Sequence, residues 1–405
     1  MSNYSFVKSR AMLTRLQKVD AMARARPGMF FTGYERIGGY PVFVEQASGP
    51  YLWDVDGNRY IDYLLGYGSV ILGHADPIVA KEATRAVEAG VNPTLLCPSQ
   101  LALAEKLVSV SPCAELVTFL KTGSDAVSAA VRLARAITGK THVLQWGQHG
   151  WHDWYALRSP GVLADTKART HPLAYNDLAD AERLFTKLSG DVAAVVMMPY
   201  EIEMPKVGYL QSLQQLTHQH GALFVLDEIR SGFRIAMGGA QDYFGVMPDL
   251  ATYSKGLSNG HAISVLAGRE RYMQRILDVR LTVTYYRAAD AMAAALATLA
   301  ELEANDGPVR LAALGERLMA GMNDGAARAG VPAMAIGFPA TPFLEFGYES
   351  KAARDRAMRR FCNGMLIRGV LMTPSHHWFL CTSMNESDID FTLHAAVDVF
   401  REMAL

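Results

Sequence analysis

The sequence predicts an α/β fold in which a mainly parallel sheet is covered by helices. Two unbroken apolar runs, residues 193–197 and 222–226, are typical of strands buried on both faces. Segments of helical character separate such runs, as expected of strand–helix–strand units. The chain has 405 residues, of which 50% are hydrophobic, so it can bury a large core and is expected to form two closely packed domains.

The composition of the chain limits the binding partners and the cellular compartment that we expect for it. The formal net charge is -1, which argues against a nucleic-acid or membrane-surface partner. The four cysteines show neither CxxC nor zinc-ligand spacing, so reduced core thiols in a cytoplasmic protein are expected: Cys97, Cys113, Cys362 and Cys381. Residues 1–17 are predicted to form an amphipathic helix rather than a signal peptide, and no apolar run is long enough to cross a bilayer.

The candidate chemistry lies at the ends of two predicted strands. The run 222–226 ends at Asp227, and a short strand at 250–253 is followed by Lys255. Ligands bind at the carboxyl edge of open α/β sheets. A carboxylate and an amine at this edge suit pyridoxal phosphate, which needs a carboxylate beside its pyridine nitrogen and an amine on its aldehyde carbon. Taken alone, the same residues would be read as a loop cap and a solvated lysine.

Four motifs surround these strand ends: Asp227-Glu228-Ile229, Gly232-Phe233-Arg234, Pro248-Asp249-Leu250 and Ser254-Lys255-Gly256. Their order and spacing resemble the class III pyridoxal-phosphate aminotransferases, within the branch that contains glutamate-1-semialdehyde aminomutase. The resemblance covers most of the chain and implies fold type I, a mainly parallel seven-stranded sheet with flanking helices plus a small α+β domain. It also implies three segments: small-domain residues 1–65, a large cofactor-binding domain at 66–300, and small-domain residues 301–405.

The N-terminal part is expected to contribute substrate contacts. In the family, a segment corresponding to residues 26–39 lies over the active site, and aminomutases carry an arginine there that holds the substrate carboxylate. Arg36 is the nearest candidate, and a surface position is the open alternative. The alternating pattern around Asp56-Gly57 predicts a hairpin and not a calcium loop. Tyr67 matches an aromatic residue that faces the substrate, with a core position as the alternative.

A phosphate site is predicted where the strand at 116–120 turns into a helix. Helix amino ends bind phosphate through free N–H groups and the helix dipole, although an ordinary helix cap has the same Gly-Ser pattern. The segment resembles the family's SGTEA motif, with Asp125 in place of the usual glutamate. The resemblance implies that Thr122, Gly123 and Ser124 contact the phosphate.

The two faces of the cofactor ring are expected to contact different loops. The family has an aromatic-His-Gly signature after the next strand, and its aromatic residue stacks on the ring. Alignment on His149 places Gln148 at the stacking position, and stacking by His149 or Trp151 through a shifted loop stays open. Ile229 is expected on the opposite face. No metal site is predicted, because the histidines lack a third ligand at suitable spacing.

Two further positions complete the predicted site. The family has Glu-Pro after the strand at 193–197, whereas this chain has Met198 there, so Glu201 is the candidate that returns a polar group to the pocket. Thr284 matches a threonine that reaches the phosphate of the neighbouring subunit. The resemblance therefore implies a homodimer with shared active sites.

The resemblance implies transamination from an amine or amino-acid donor to an aldehyde or ketone acceptor, with sugar and specialised-metabolite carbonyls among the candidates. Lys255 would form the Schiff base and shuttle the proton, and Asp227 would keep the ring nitrogen protonated. An intramolecular aminomutase or epimerase is the alternative within this chemistry, but the segment at 158–173 lacks the family's gating loop. A non-catalytic pyridoxal-phosphate-binding protein is the alternative of another class.

Overall fold

The computed structural model describes residues 4–25 and 43–404. The chain forms two compact units. The central unit is Pro77–Pro308, and the terminal unit combines Met1–Asp76 with Val309–Leu405. Among the described residues, no helix combines the length and apolar character that a bilayer crossing requires.

The elements follow one another in chain order. The first part of the terminal unit contains α1 (Val7–Leu16), α2 (Ala21–Ala25), β1 (Val44–Ser48), β2 (Tyr51–Asp54) and β3 (Arg59–Asp62). The first half of the central unit contains α3 (Pro77–Gly90), α4 (Pro98–Val110), β4 (Leu116–Leu120), α5 (Gly123–Thr138), β5 (His142–Trp146), α6 (Ala164–Lys167), β6 (Thr170–Pro172) and α7 (Leu178–Lys187).

Its second half contains β7 (Val192–Met197), α8 (Tyr209–Gln219), β8 (Leu223–Asp227), α9 (Gly239–Phe244), β9 (Leu250–Tyr253), β10 (Ser264–Gly268), α10 (Glu270–Met273) and α11 (Ala289–Ala304), with short 3₁₀ helices at Lys255–Ser258 and Ile276–Val279. The chain then returns to the terminal unit through α12 (Gly307–Ala329), β11 (Ala333–Ile336), β12 (Phe343–Phe346), α13 (Lys351–Leu366), β13 (Val370–Leu371) and α14 (Glu386–Ala404).

The central unit is organised around a seven-stranded sheet with the order β4-β10-β9-β8-β7-β5-β6. The neighbours from β6 through β9 are parallel, and β10 runs antiparallel to both β4 and β9. Every residue of β7 and β8 is buried, as expected for inner strands of a parallel sheet. The predicted α/β fold with a mainly parallel seven-stranded sheet is confirmed.

Helix α5 covers one face of this sheet. Its apolar stripe, which includes Ala130 and Val131, belongs to one buried cluster with Val196 of β7 and Val225 of β8. Small alanine side chains let the helix backbone approach the sheet closely. Burial of a valine side chain contributes about 1.5–3 kcal/mol, so this packing holds α5 firmly over the sheet.

The parallel strands bring several chain positions to one edge. β5, β7, β8 and β9 all end at the carboxyl edge of the sheet, and Asp227 of β8 pairs in register with Thr252 of β9. The 3₁₀ helix that begins at Lys255 follows directly. The sheet therefore places the acid and the lysine at the same edge, where ligands bind in open α/β folds.

The terminal unit contains a sheet of order β1-β2-β3-β13 and a β11–β12 hairpin. The predicted hairpin joins β2 to β3, and the N–H of Gly57 donates to the carbonyl of Asp54 at 2.9 Å. The carboxylate of Asp56 accepts from the amides of Lys8 and Ser9 at 2.7 and 2.8 Å. The hairpin turn thus anchors the start of α1 and has a structural role.

A left-handed turn follows β3. Leu65, Gly66, Tyr67 and Gly68 have φ angles of 46°, 59°, 58° and 84°. Left-handed backbone costs roughly 1–2 kcal/mol for each residue with a side chain, here Leu65 and Tyr67. A Cβ atom at Gly68 would lie 2.4 Å from the ring of Phe379, so only glycine fits there. Packing within the terminal unit therefore maintains a strained turn that carries Tyr67.

Candidate active site

The candidate site is centred on Asp227, the last residue of β8. The side chain is buried, with 2% of the residue exposed. One carboxylate oxygen, Oδ2, lies 2.6 Å from Nδ1 of His149. The other, Oδ1, accepts from the N–H of Ile229 at 3.1 Å and from the hydroxyl of Thr252 at 3.4 Å. Burial with several hydrogen bonds fixes the position of this carboxylate.

His149 supports Asp227 from the turn after β5. Its Nε2 lies 3.1 Å from the carbonyl oxygen of Trp146. The ring of His149 therefore bridges the carboxylate of Asp227 and the backbone of the turn after β5. The ring is buried beside the acid. Of the roles left open by the sequence, the geometry places His149 on the carboxylate.

Lys255 follows β9 in a strained conformation. Its φ angle is 40°, a left-handed value that is uncommon for a residue with a side chain. The pKa of its amine is lowered to about 8, mainly by burial; the guanidinium groups of Arg230 and Arg234 act in the same direction, whereas Asp227 opposes them. At pH 7 this enlarges the fraction of free amine about 300-fold relative to an ordinary lysine. The side chain is thus prepared to act as a nucleophile and base.

Helix α5 begins with a capping box. The N–H and hydroxyl of Thr122 each donate to Oδ2 of Asp125 at 2.8 Å, and the N–H of Asp125 returns a 3.3 Å hydrogen bond to the hydroxyl oxygen of Thr122. Both donors of Thr122 are therefore engaged. Among the residues that the structure describes, the N–H groups of Gly123 and Ser124 have no acceptor. Two amides at a helix amino end provide a receptor for an anion.

Two glycines line a cradle beside these amides. A Cβ atom at Gly123 would lie 2.7 Å from Cδ1 of Ile229, so Ile229 packs directly on the start of α5. A Cβ atom at Gly150, whose φ is 93°, would lie 2.0 Å from the hydroxyl of Ser124. The turn after β5 thus lies on the first turn of α5, and a side chain at either glycine would displace its neighbour.

Gln148 closes the same turn with its side-chain amide. The nitrogen donates to the carbonyl of Gly150 at 3.2 Å, and the oxygen accepts from the N–H of Gly150 at 2.9 Å. The backbone N–H of Gln148 donates to the sulfur of Met198 at 3.0 Å. Met198, which stands where the family has a glutamate, therefore has a structural role: its sulfur accepts the hydrogen bond that holds the turn. Trp151 is mostly exposed.

Arg230 is a site residue that the sequence analysis missed. It lies three residues beyond Asp227 and is buried, with 6% exposed. Its guanidinium lies 5.0 Å from the centre of the Tyr200 ring and donates to the carbonyl of Tyr200. Burial lowers the pKa of Arg230, whereas Tyr200, Glu201 and Asp227 oppose this effect. A cation immediately after the strand-end acid was the available signal.

The remaining predicted positions are described separately. Thr284 is exposed in the central unit, and its carbonyl accepts from the side chain of Asn92 at 3.4 Å. Tyr67 belongs to the terminal unit, where its ring meets His376 edge-on at 5.4 Å. Arg36 lies outside the described residues. Within residues 4–25 and 43–404, no group of three histidine, cysteine or acidic side chains could hold a metal ion.

The central cluster fits pyridoxal phosphate. The amides of Gly123 and Ser124 suit its phosphate, and Asp227 suits its pyridine nitrogen. The Lys255 amine suits its aldehyde carbon, and the glycine cradle leaves no competing side chain at the start of α5. The combination of an anion receptor, a buried acid and an activated amine is what this cofactor requires.

Known proteins resemble the chain at three levels. Residues 34–381 match the family model described as aminotransferase class-III. A 3-aminobutyryl-CoA aminotransferase from Cloacimonas acidaminovorans (strain Evry) is 34% identical over 374 residues, which cover 90% of both chains. A glutamate-1-semialdehyde 2,1-aminomutase from Anaeromyxobacter sp. (strain Fw109-5) is 35% identical over 404 residues, 92% of this chain and 93% of that protein. The FumI protein of Sphingopyxis sp. MTA144, solved with PLP, superposes with a TM-score of 0.92 at 28% identity, covering 98% of this chain and 96% of the other.

Proposed function

Since the chain belongs to the class III aminotransferase family and is a pyridoxal-phosphate-dependent aminotransferase, we propose that its reaction depends on Lys255 and Asp227. The observation that carries this proposal is the pairing of a buried acid with a lysine of lowered pKa at the ends of neighbouring parallel strands. Perturbed ionisable groups of this kind concentrate at catalytic sites.

Each residue of the central cluster receives a distinct role. The bound cofactor supplies the electron sink that stabilises negative charge on the substrate carbon. Lys255 would hold the aldehyde carbon and, as a free amine, would accept the substrate proton and return it. Asp227, held by His149, would keep a proton on the ring nitrogen. Ile229 and Gln148 would contact opposite faces of the ring.

The anion receptor is assigned to the start of α5. Gly123 and Ser124 would bind the phosphate through their free amides, and Thr122 shapes this turn through its capping box with Asp125. A helix of 16 residues adds its dipole to these hydrogen bonds. The phosphate end is therefore expected to fix the cofactor without a charged side chain.

For the substrates, we propose an amine donor and an acceptor carbonyl that is not adjacent to a free carboxylate, such as a sugar or specialised-metabolite carbonyl. One relative is named a 3-aminobutyryl-CoA aminotransferase, which supports this choice. In 3-aminobutyryl-CoA the amino group is on the third carbon and the carboxyl group is a thioester. Arg36, Tyr67 and Glu201 are the proposed substrate contacts. Glu201 is favoured because it lies close enough to influence Arg230 electrostatically.

We also propose that the enzyme is a cytoplasmic homodimer in which Thr284 contributes to the partner's phosphate site. Leu95 and Leu96 are 77% and 71% exposed, an unusual exposure for adjacent apolar residues. Their segment lies beside Thr284, because Asn92 contacts its carbonyl and Arg287 donates to the carbonyl of Thr94 at 3.1 Å. A second copy would cover this apolar surface. Loss of the dimer in Leu96→Asp, measured by light scattering, tests the proposal, and an unchanged mass contradicts it.

The absorbance spectrum of the purified protein tests the reaction. A band near ~420 nm that bleaches on addition of an amine donor is expected for wild type and absent from Lys255→Ala. A donor that bleaches the band, followed by an acceptor carbonyl that restores it, establishes two half-reactions. A wild-type protein that shows no band with added pyridoxal phosphate contradicts the proposal and leaves the non-catalytic alternative.

An intramolecular aminomutase is the second candidate, because one of the relatives with 35% identity is an aminomutase. The two candidates differ in their need for a second molecule. An aminomutase converts a single amino aldehyde to its isomer without an added acceptor, whereas an aminotransferase requires both partners. Product analysis with one substrate at a time therefore separates them.

A further inference from the structure

Arg230 and Lys255 each follow the end of one of two neighbouring parallel strands. Asp227 of β8 and Thr252 of β9 are paired in register. Arg230 lies three residues beyond Asp227, and Lys255 lies three residues beyond Thr252. Because the strands are parallel, both residues lie at the carboxyl edge of the sheet. The topology therefore brings a guanidinium and an amine to the same end of the sheet.

The guanidinium of Arg230 is fixed. It stacks over the ring of Tyr200 with 5.0 Å between the guanidinium carbon and the ring centre, and it donates to the Tyr200 carbonyl. Tyr200 is fully buried just beyond β7. Arginine stacks well on aromatic rings, and its planar group loses little freedom in such a contact. Arg230 thus holds a permanent charge in a buried place and cannot turn outward without breaking both contacts.

The charges around the amine of Lys255 favour its neutral form. Burial contributes most to the lowered pKa of this amine, the charges of Arg230 and Arg234 lower it as well, and the charge of Asp227 raises it. Oδ2 of Asp227 already lies 2.6 Å from Nδ1 of His149, and this contact weakens the attraction between Asp227 and a protonated Lys255. Like charges in a buried setting disfavour protonation. Around Arg230 itself, the opposing groups are Asp227, Glu201 and the phenols of Tyr200 and Tyr175.

We propose that Arg230 is a positioning residue whose fixed charge, held by Tyr200, keeps Lys255 as a free amine. This inference rests on the proposed role of Lys255 in the reaction. Without Arg230, Asp227 would become the dominant charge near the amine and would draw a proton onto it. Arg230 acts through Lys255 and needs no contact with the substrate.

Protonation of Lys255 can be measured directly on the apoprotein. An amine-reactive acylating reagent labels free amines, and peptide mass spectrometry gives the labelling rate of Lys255 at each pH. The wild-type rate should reach its midpoint near pH 8, where burial and the two guanidinium groups hold the pKa of Lys255. Arg230→Met should move the midpoint upward and lower the rate at pH 7 by about tenfold, because each pH unit of displacement changes the amine fraction by about that factor.

Three matched variants separate charge from packing. Arg230→Gln keeps a donor for the Tyr200 carbonyl without the charge and should behave as Arg230→Met. Arg230→Lys keeps the charge and should retain the wild-type midpoint. Arg135→Met removes a partly buried guanidinium from the far end of α5, where it donates to the Thr141 carbonyl at 2.9 Å, and should leave Lys255 unchanged.

The outcomes are distinct. A folded Arg230→Met or Arg230→Gln protein with the wild-type midpoint overturns the inference. A wild-type midpoint combined with a raised KM for anionic donors alone overturns it in favour of a substrate-binding arginine. If Arg230→Met does not fold, as judged by circular dichroism, Arg230→Gln and Arg230→Lys decide between charge and packing. A ~420 nm band and turnover that survive in Lys255→Ala would overturn the proposed reaction, while the labelling midpoint would still report on Arg230.

Discussion

Two ends of the candidate site are built by different means. At the strand ends, Asp227 and Lys255 owe their positions to the register of β8 and β9. In the turn after β5, Gln148 is positioned by hydrogen bonds to Gly150 and to the sulfur of Met198. The strand ends carry ionisable groups, whereas the turn carries backbone and amide contacts. Substitutions at the strand ends should change the reaction rate, and substitutions in the turn after β5 should change the affinity for the cofactor.

The largest effect is expected for Lys255→Ala. Loss of the amine removes both the attachment point and the proton carrier, so transamination should fall by at least about 10³-fold with the fold intact. Lys187→Ala, at the exposed end of α7, is the matched control and should retain full activity. Steady-state kinetics and circular dichroism measure both properties. Substantial activity in Lys255→Ala would contradict the prediction that the strand ends carry the reaction chemistry.

His149→Ala should reduce activity without abolishing it. The substitution removes the donor to Asp227, and a hydrogen bond to a buried charged group contributes about 1.5–3 kcal/mol, or about 10- to 100-fold in rate. In a double variant with Asp227→Ala, the His149 change should have little further effect. Additive losses in this cycle would show that His149 acts independently of the acid.

Gly150→Ala should weaken cofactor binding by about tenfold. Its added Cβ would collide with the Ser124 hydroxyl and displace the turn from α5, a cost of about 1–3 kcal/mol for a crowded contact. Gly161→Ala is a close control, because its φ of 90° resembles the 93° of Gly150 and nothing lies within 4 Å of its Cβ position. The dissociation constant of pyridoxal phosphate compares them. Equal losses would assign the effect to backbone strain.

The smallest effect concerns the stability of the apoprotein. Burial and nearby cations lower the pKa of Lys255 from 10.5 to about 8 in the folded state. Between pH 8 and 10 the unfolded chain therefore binds more protons than the folded chain, so stability rises with pH in this window. The unfolding free energy of wild type should rise relative to Lys255→Met by about 2 kcal/mol from pH 8 to pH 10. Parallel denaturation curves across the window would contradict this.

The sequence predicted the strand-end chemistry because strand ends follow from local pattern. The apolar runs at 116–120 and 250–253 coincide with β4 and β9. The helix predicted after the strand at 116–120 begins at Gly123, where the Thr122–Asp125 capping box defines its amino end.

The other features depend on contacts between distant residues. The amide of Gln148 meets the sulfur of Met198, 50 residues along the chain, and Arg230 meets Tyr200, 30 residues away. Alignment of the aromatic-His-Gly signature on His149 predicted that Gln148 contacts the cofactor ring. The same alignment gave no role to Arg230. Side chains in loops are positioned by partners that only the folded chain provides.

The capping box also determines which substitutions the anion receptor can tolerate. Because Asp125 occupies the donors of Thr122, the anion receptor consists of main-chain amides, which every residue except proline possesses. Mutation can change the identity of side chains there without removing a donor, provided that the cap is preserved and positions 123 and 150 remain small. Aspartate or glutamate at position 125 can therefore serve the same receptor, whereas the chemistry at the strand ends depends on the side chains of Asp227 and Lys255 themselves.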